Sequence, residues 1–491
     1  MRRTRILATL GPATRTPARI DGLLAAGADA VRVNFSHGGT DEHRRLIQRA
    51  RAAGRRAKHD VAVVADLQGP KVRIGDLARP SIELQEGAPW RLDASGRPGD
   101  AVRVSVSYPP LLREARPGAR LLVGDGNVEL RVVGHQGAAL IGRVLHGGAV
   151  SAHAGLYLPG GGLRPNVLGR KDSSDLEVAV EEGVDFLAVS FVRDARDLIV
   201  VRRRLDRLHA TGIGLIAKIE RAEALEHIDR IVEVSDAIMV ARGDLGIEVP
   251  LARLALEQKR LIAIANRARR PVIVATQMLL SMVHAPRPTR AEATDAANAV
   301  IDGADALMLS EESAVGAFPA EAVGWLDRIC RATELAASLG EVEIHADRRP
   351  SNAVDDGVAG AAVALAADVG ARAIVIPTES GRTARLVAAR RPSTPILALS
   401  SNGATRRRLS LTWGVETVGC PVHLSLRELR RLARQMVDRT SGIPKGGPIV
   451  LTAGYPVEGR PTNLVTVDPA GTDRKEGPSP PGRARGRRQG S

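Results

Sequence analysis

Cysteine, aromatic residues, lysine and long apolar runs are all scarce in this chain of 491 residues. Two cysteines, Cys330 and Cys420, cannot build a disulfide framework and fit a reducing compartment. Aromatic side chains make up 2% of the sequence, too few for the stacking platforms that hold single-stranded nucleic acid. No apolar run approaches the roughly 20 residues needed to span a bilayer. The opening Met-Arg-Arg-Thr-Arg-Ile passes directly into a strand-like segment without the apolar stretch of a secretory leader, so a cytoplasmic protein with no membrane partner is expected. Seven of the 70 basic residues are lysine and the rest are scattered arginines. The net charge of +15 therefore reads as a compositional habit, and no nucleic-acid partner is expected.

What the chain does contain is a regular alternation. Its length corresponds to about three domains at roughly 150 residues each, and its 44% hydrophobic fraction can fill large cores. Short β-branched apolar runs, each ending in a polar or glycine-rich turn, recur eight times. They read RILATLGP (5–12), ADAVRVNFSHG (28–38), VAVVADLQGP (61–70), VDFLAVSFV (184–192), GLIAKIE (214–220), SDAIMVARGD (235–244), PVIVATQM (271–278) and ADALMLSEE (304–312). Near-continuous apolar runs are the pattern of parallel strands buried on both faces. Segments of helical period, such as Asp41–Ala53, Leu251–Ala268 and Ala291–Ile301, lie between them. Eight strands alternating with helices predict a (β/α)₈ barrel built from residues 1–70 and 165–340. The long gap after the third run is rich in glycine and proline with alternating apolar positions, which predicts an inserted small β lid over 71–164. A smaller α/β unit follows over 341–468, with strands expected at Ala373–Ile376, Pro395–Ala398, Val415–Val418 and Pro448–Thr452. Residues 469–491 carry proline, glycine and arginine without apolar period and are expected to be a disordered basic tail.

Barrel chemistry sits at the C-terminal ends of strands, and the unusual polar residues fall there. The second run ends with Arg32, Asn34, Ser36 and His37, and the third with Asp66. Lys218 and Glu220 close the fifth, Arg242, Gly243 and Asp244 the sixth, Thr276 the seventh, Ser310 and Glu312 the eighth. Any one of these could merely cap the following helix, but cations and acids at six strand ends together indicate a site. Lys218 and Glu220 are two apart and project from one strand face. A lysine at a strand end, in a chain that otherwise uses arginine, marks the need for a compact point charge. Arg32, Arg73 and Lys218 offer charge to phosphate oxygens. Glu220 and Asp244 are hard oxygen donors suited to Mg²⁺. No Walker sequence and no GxGxxG following a strand is present, which leaves a metal plus a cationic clamp on a transferring phosphoryl group.

With these residues in place, the chain closely resembles the pyruvate kinase family. The matching strings are VRVNFSHG (31–38), GPKVRIG (69–75), LPGG (158–161), AKIE (217–220), IMVARGDLGIE (238–248), ATQML (275–279), PRPTRAE (286–292), ANAVIDGADALMLS (297–310) and TESGRTA (378–384). The resemblance implies the same barrel, lid and C-terminal α/β architecture, and transfer of phosphate from phosphoenolpyruvate to ADP in the last step of glycolysis. It implies that Lys218 stabilises the phosphoryl group in flight and that Glu220 and Asp244 hold Mg²⁺ or Mn²⁺. Gly243, Asp244 and Thr276 would bind the substrate carboxylate. Arg32 and Arg73 would contact phosphates, with Asn34, Phe35, Ser36 and His37 on the nucleotide side. Thr276, Ser310 and Glu312 would lie along a proton relay to the enolate. A homotetramer is the family's usual assembly.

Departures from the family pattern carry expectations of their own. Ala154 replaces a usual lysine before GLYLPG, and MLSEESA stands for MLSGETA. Where potassium-dependent members read DTKGPEIR, this chain reads Asp66-Leu-Gln-Gly-Pro-Lys-Val-Arg73. Leu67 offers no side-chain oxygen to a cation, and Lys71 places an ammonium where a glutamate would stand. The alternative is that Lys71 faces solvent at the lid hinge while Leu67 packs in the core. The expected enzyme needs Mg²⁺ but not K⁺, with Lys71 in the cation's place. The loop of Thr378, Ser380, Gly381, Arg382 and Thr383 should open a helix and hold a phosphorylated metabolite effector; the alternative is that its hydroxyls only cap that helix. Another phosphoenolpyruvate-using barrel would lack the lid and the TESGRTA unit. A non-catalytic nucleotide- or nucleic-acid-binding protein would not need Lys218, Glu220, Asp244 and Thr276 together.

Overall fold

Three units, each with its own core, are built in the order that the alternation of apolar runs dictates. The computed structural model describes residues 2–124, 126–160, 165–347, 349, 353–422, 425–454 and 462–469. The basic tail from residue 470 onwards lies outside the described residues. Strands β1 (Arg5–Leu10), β2 (Ala30–Asn34) and β3 (Ala62–Asp66) open the chain. They are followed by β4 (Ser81–Leu84), β5 (Pro89–Asp93), β6 (Arg103–Ser105), β7 (Arg120–Val123), β8 (Val128–Gln136), β9 (Ala139–His146), β10 (Gly148–Ser151) and β11 (Leu156–Tyr157). Then come β12 (Phe186–Val189), β13 (Gly214–Ile219), β14 (Ala237–Ala241), β15 (Val272–Ala275) and β16 (Ala306–Leu309). The last set is β17 (Ile374–Pro377), β18 (Ile396–Ser400), β19 (Val415–Gly419), β20 (Ile449–Ala453) and β21 (Leu464–Asp468).

Strands β1–β3 and β12–β16 close into an eight-stranded parallel barrel in the order β1-β16-β15-β14-β13-β12-β3-β2. Its inside is filled by small and flexible side chains, among them Ala30, Ala62, Val64, Ile216, Met239 and Met308. Leu411, from the C-terminal unit, completes that cluster. A larger apolar layer, including Ile6, Val31, Val63 and Leu215, joins the strands to the surrounding helices. The lid is a six-stranded sheet, β11-β7-β8-β9-β5-β6, with a separate β10-β4 pair, around a core centred on Trp90, Leu92 and Leu130. It enters between β3 and the helix Arg170–Glu181, so it stands over the C-terminal mouth of the barrel.

The C-terminal unit is a five-stranded sheet in the order β19-β18-β17-β20-β21. Four of its strands lie where the apolar runs place them; the antiparallel edge strand β21 was not foreseen. Several arginines dock this unit against the barrel. Arg391 meets Asp305 at 3.1 Å, Arg407 meets Asp185 at 2.8 Å and Arg406 meets Asp60 at 3.0 Å. These acids sit at or beside the N-terminal ends of barrel strands, opposite the face that carries the candidate site. Among the described residues, no helix is long and apolar enough to cross a membrane.

Candidate active site

Register brings the charged residues together. β2 pairs with β3, and β3 with β12, which pairs with β13. Asp66, at the end of β3, therefore lies between Arg32 and Lys218. Arg32 donates through Nε to Asp66 Oδ2 at 2.6 Å and through Nη1 to Thr9 Oγ1 at 3.1 Å. Lys218 Nζ lies 3.2 Å from Asp66 Oδ1 and 2.9 Å from Glu220 Oε1, and donates to Ser190 Oγ at 2.7 Å. All four charged groups are buried. Burial opposes the charge of Lys218, but Asp66 and Glu220 outweigh it and hold its pKa above the ordinary lysine value. Burial likewise works against the Asp66 carboxylate, yet Lys218 and Arg32 keep its pKa below normal. The result is a desolvated ammonium that stays charged, a strong partner for negative charge developing nearby.

The second half of the site grows from β14 and β15. The helix Arg242–Glu248 starts directly at the end of β14, with Asp244 in its first turn. The Gly243 amide donates to Thr276 Oγ1 at 2.8 Å. Thr276 and Gln277 both have left-handed backbones, with φ of 69° and 53°. For a β-branched residue this is costly. It is held in place by Arg242, whose Nη2 donates to the Thr276 carbonyl at 2.7 Å. Phe191 is also left-handed at φ 57°, and its amide donates to Glu220 Oε2 at 2.8 Å. Backbone strain thus clusters just beyond β12 and β15, the two strands that flank β13 and β14, after which the two carboxylates stand.

Glu220 and Asp244 are close enough to interact. Burial and then the Asp244 charge raise the Glu220 pKa, against the pull of Lys218. Asp244 is itself held below the ordinary range, because Lys71, Tyr157 and Lys218 overcome its burial. Two adjacent carboxylates of which one resists ionisation are relieved by a divalent cation. One or two carboxylates, completed by substrate oxygens and water, are what Mg²⁺ accepts. The residues present fit that ion.

Lys71 does not face solvent. Its Nζ lies 2.9 Å from Asp244 Oδ1, and within 5.4 Å and 5.9 Å of the Tyr157 and Phe191 ring centroids. Leu67 packs in the barrel core. Other expected residues stand further from the chemistry. Arg73 remains with the lid and donates to the His153 carbonyl at 2.9 Å. Asn34 Oδ1 accepts the Ser36 amide at 3.1 Å, which shapes the turn at the end of β2, and His37 is exposed on it. The Phe35 ring is buried against His43, with centroids 4.1 Å apart, so its side chain is not offered to a ligand.

The two carboxylate oxygens of Glu312 accept the Leu279 amide at 3.0 Å and the Ser310 amide at 2.7 Å, which organises the loops after β15 and β16. Each oxygen keeps a further lone pair for a proton or water. Ser310 Oγ is buried and has no hydrogen-bond partner among the described residues. In the C-terminal loop, Thr378 Oγ1 accepts the Gly381 amide at 2.9 Å and Ser380 Oγ accepts the Arg382 amide at 3.4 Å. Gly381 takes φ 78°, Arg382 pairs with Asp355, and Thr383 meets Thr462 at 2.7 Å. The loop does open a helix, Arg382–Ala388, and the Thr378 and Ser380 hydroxyls accept amides at its start.

Sequence reading missed Ser190 and Tyr157. Ser190 follows Val189, which pairs with Ala217, so its position beside Lys218 is a matter of register. Tyr157 donates from the lid to Asp244 Oδ1 at 2.7 Å. Its scarcity was the available signal, since the chain has three tyrosines.

A (β/α)₈ barrel with a lid, a buried cation and paired carboxylates at its mouth defines a phosphoryl-transfer enzyme of the barrel class. Known proteins narrow this. The family description "Pyruvate kinase, barrel domain" matches residues 1–323, and "Pyruvate kinase, alpha/beta domain" matches residues 356–467. The chain is 41% identical over 483 residues to a pyruvate kinase of Agrobacterium vitis, covering 97% of this chain and 98% of that one. It is 40% identical over 474 residues to one of Mycobacterium tuberculosis, covering 96% and 99%. The crystal structure of a pyruvate kinase from Cryptosporidium parvum superposes with a TM-score of 0.88 at 33% identity, covering 96% of each chain. The chain belongs to the pyruvate kinase family.

Proposed function

We propose that this site moves the phosphoryl group of phosphoenolpyruvate to ADP, with Lys218 at its centre. The observation that carries the reading is the buried Lys218 ammonium, held among Asp66, Glu220 and Ser190 with its charge intact. A β-phosphate oxygen of ADP forms the new bond to phosphorus. The bond from phosphorus to the enol oxygen breaks, and the enolate takes a proton at its methylene carbon to become pyruvate. Lys218 and Arg32 offset the negative charge that spreads over the phosphoryl oxygens. Asp66 fixes both cations, and Ser190 fixes the direction of Nζ. Glu220 and Asp244 would hold Mg²⁺, or Mn²⁺ in its place, and a divalent ion there would supply Lewis-acid stabilisation of negative charge on the substrate. The Thr276 hydroxyl and the start of the helix Arg242–Glu248 receive the substrate carboxylate. The Thr276 and Ser310 hydroxyls and the Glu312 carboxylate flank the path of the proton. Arg73 and the turn from Asn34 to His37 receive ADP from the lid side and the barrel side.

Lys71 stands where a monovalent cation would otherwise be needed, and its contact with Asp244 supports a K⁺-independent enzyme. The capped loop at Thr378–Thr383 is the candidate site for a phosphorylated metabolite, which must displace the caps and the Arg382–Asp355 pair to bind. The assembly is a homotetramer, as the family resemblance implies. The test mixes pure protein with phosphoenolpyruvate, ADP and Mg²⁺ and couples pyruvate to lactate dehydrogenase. NADH consumption that needs all three supports the reading, and its absence overturns it.

A further inference from the structure

We infer that Tyr157 is a positioning residue, a lid-borne phenol that ties the lid to the catalytic helix and holds Lys71 over Asp244. Tyr157 lies on β11, at the edge of the lid sheet, and is almost fully buried. Its hydroxyl donates to Asp244 Oδ1 at 2.7 Å, the same oxygen that Lys71 Nζ approaches at 2.9 Å. One carboxylate oxygen thus collects two donors from the lid. The ring adds a second contact, since Lys71 Nζ lies 5.4 Å from its centroid. That distance is within the reach of a cation–π attraction.

The surrounding backbone is shaped to admit this arrangement. A Cβ built on Gly155 would fall 2.8 Å from Tyr157 Cε2, 2.9 Å from its hydroxyl and 3.1 Å from Lys71 Cε. Glycine at 155 therefore leaves room for both the phenol and the lysine stem. Gly155 also pairs with Arg73 across the root of the lid, where Leu156 N donates to Val72 O at 2.9 Å and Ile74 N to Ala154 O at 3.0 Å. Tyr157 and Lys71 leave this root in the same direction and meet at Asp244. The root can open only if both release the helix Arg242–Glu248.

The kinetic part of this inference rests on the phosphoryl-transfer reading, whereas its structural part does not. Tyr157→Phe keeps the ring and removes the hydroxyl. Hydrogen exchange of peptides covering 68–75 and 155–158 should quicken by about tenfold, the scale of losing one hydrogen bond to a carboxylate. The KM for phosphoenolpyruvate or ADP should rise by a similar factor, with kcat within about threefold. Gly155→Ala, which pushes the phenol aside without removing any polar group, should quicken the same peptides. Unchanged exchange in a folded Tyr157→Phe protein overturns the tether, even where wild-type turnover is normal. A fall in kcat with unchanged exchange and KM overturns it as well. A wild type without turnover, but with faster exchange in both variants, keeps the tether and rejects the phosphoryl-transfer reading.

Discussion

Reversing the charge at Lys71 should convert a K⁺-independent enzyme into a K⁺-dependent one. The Lys71 ammonium lies 2.9 Å from Asp244 Oδ1 and its side chain is 22% exposed. At an effective dielectric of about 20, two unit charges at that separation interact by about 6 kcal/mol. Solvent access and rearrangement of a lid side chain reduce what is realised to about half. Lys71→Glu removes the attraction and adds repulsion toward Asp244, Glu220 and the incoming phosphates. Without K⁺, kcat/KM should fall at least about 100-fold, which corresponds to about 3 kcal/mol. The assay is the lactate-dehydrogenase-coupled rate in tetramethylammonium buffer, with and without KCl at about 0.1 M. K⁺ should leave the wild type nearly unchanged and recover at least about tenfold in the variant. Tenfold activation of the wild type by K⁺, or a variant indifferent to it, would refute the reasoning.

Two further outcomes follow from groups outside the central cluster. Glu248, buried at the end of the helix that carries Asp244, has its pKa pushed up to about 7 by burial, which Arg221 at 3.6 Å only partly offsets. The folded chain therefore holds an extra proton between about pH 4.3, the ordinary glutamate value, and pH 7. That stabilising contribution is complete below the lower value and lost as pH rises through the upper one, about 4 kcal/mol at most. Glu248→Gln should gain in melting temperature relative to wild type on going from pH 5 to pH 8, and an equal difference at both pH values would contradict this. In the C-terminal loop, at least one of a panel of sugar phosphates and AMP should alter wild-type activity, and Ser380→Asp should abolish that response; no effect of the panel on either protein removes the effector site.

How much of this could be read in the sequence depends on burial. The barrel strands are enclosed on both faces, so their apolar runs stand out, and all eight lie where the runs place them. The lid strands Ser81–Leu84 and Gly148–Ser151 are short and partly exposed, and Pro89–Asp93 begins at a proline, so neither run length nor period marked them. The edge strand Leu464–Asp468 is half-exposed for the same reason. In the site, isolated charges at strand ends were legible because charge there is costly. Ser190 and Tyr157 were not, because a hydroxyl gains its role only when register or a distant insertion places it against a charge. The sequence also did not reveal that Glu312 accepts backbone amides on both of its oxygens and so shapes two loops.

The most direct test of the account is the chemical step in Lys218→Met, measured by rapid quench with enzyme in excess over labelled phosphoenolpyruvate in the presence of ADP and Mg²⁺. Arg32 still pairs with Asp66, and the Phe191 amide still serves Glu220, so the fold retains partners for both acids. The account predicts that ATP formation slows by at least about 1000-fold, about 4 kcal/mol of lost transition-state stabilisation, with substrate affinity changed far less. A rate within tenfold of wild type would contradict it.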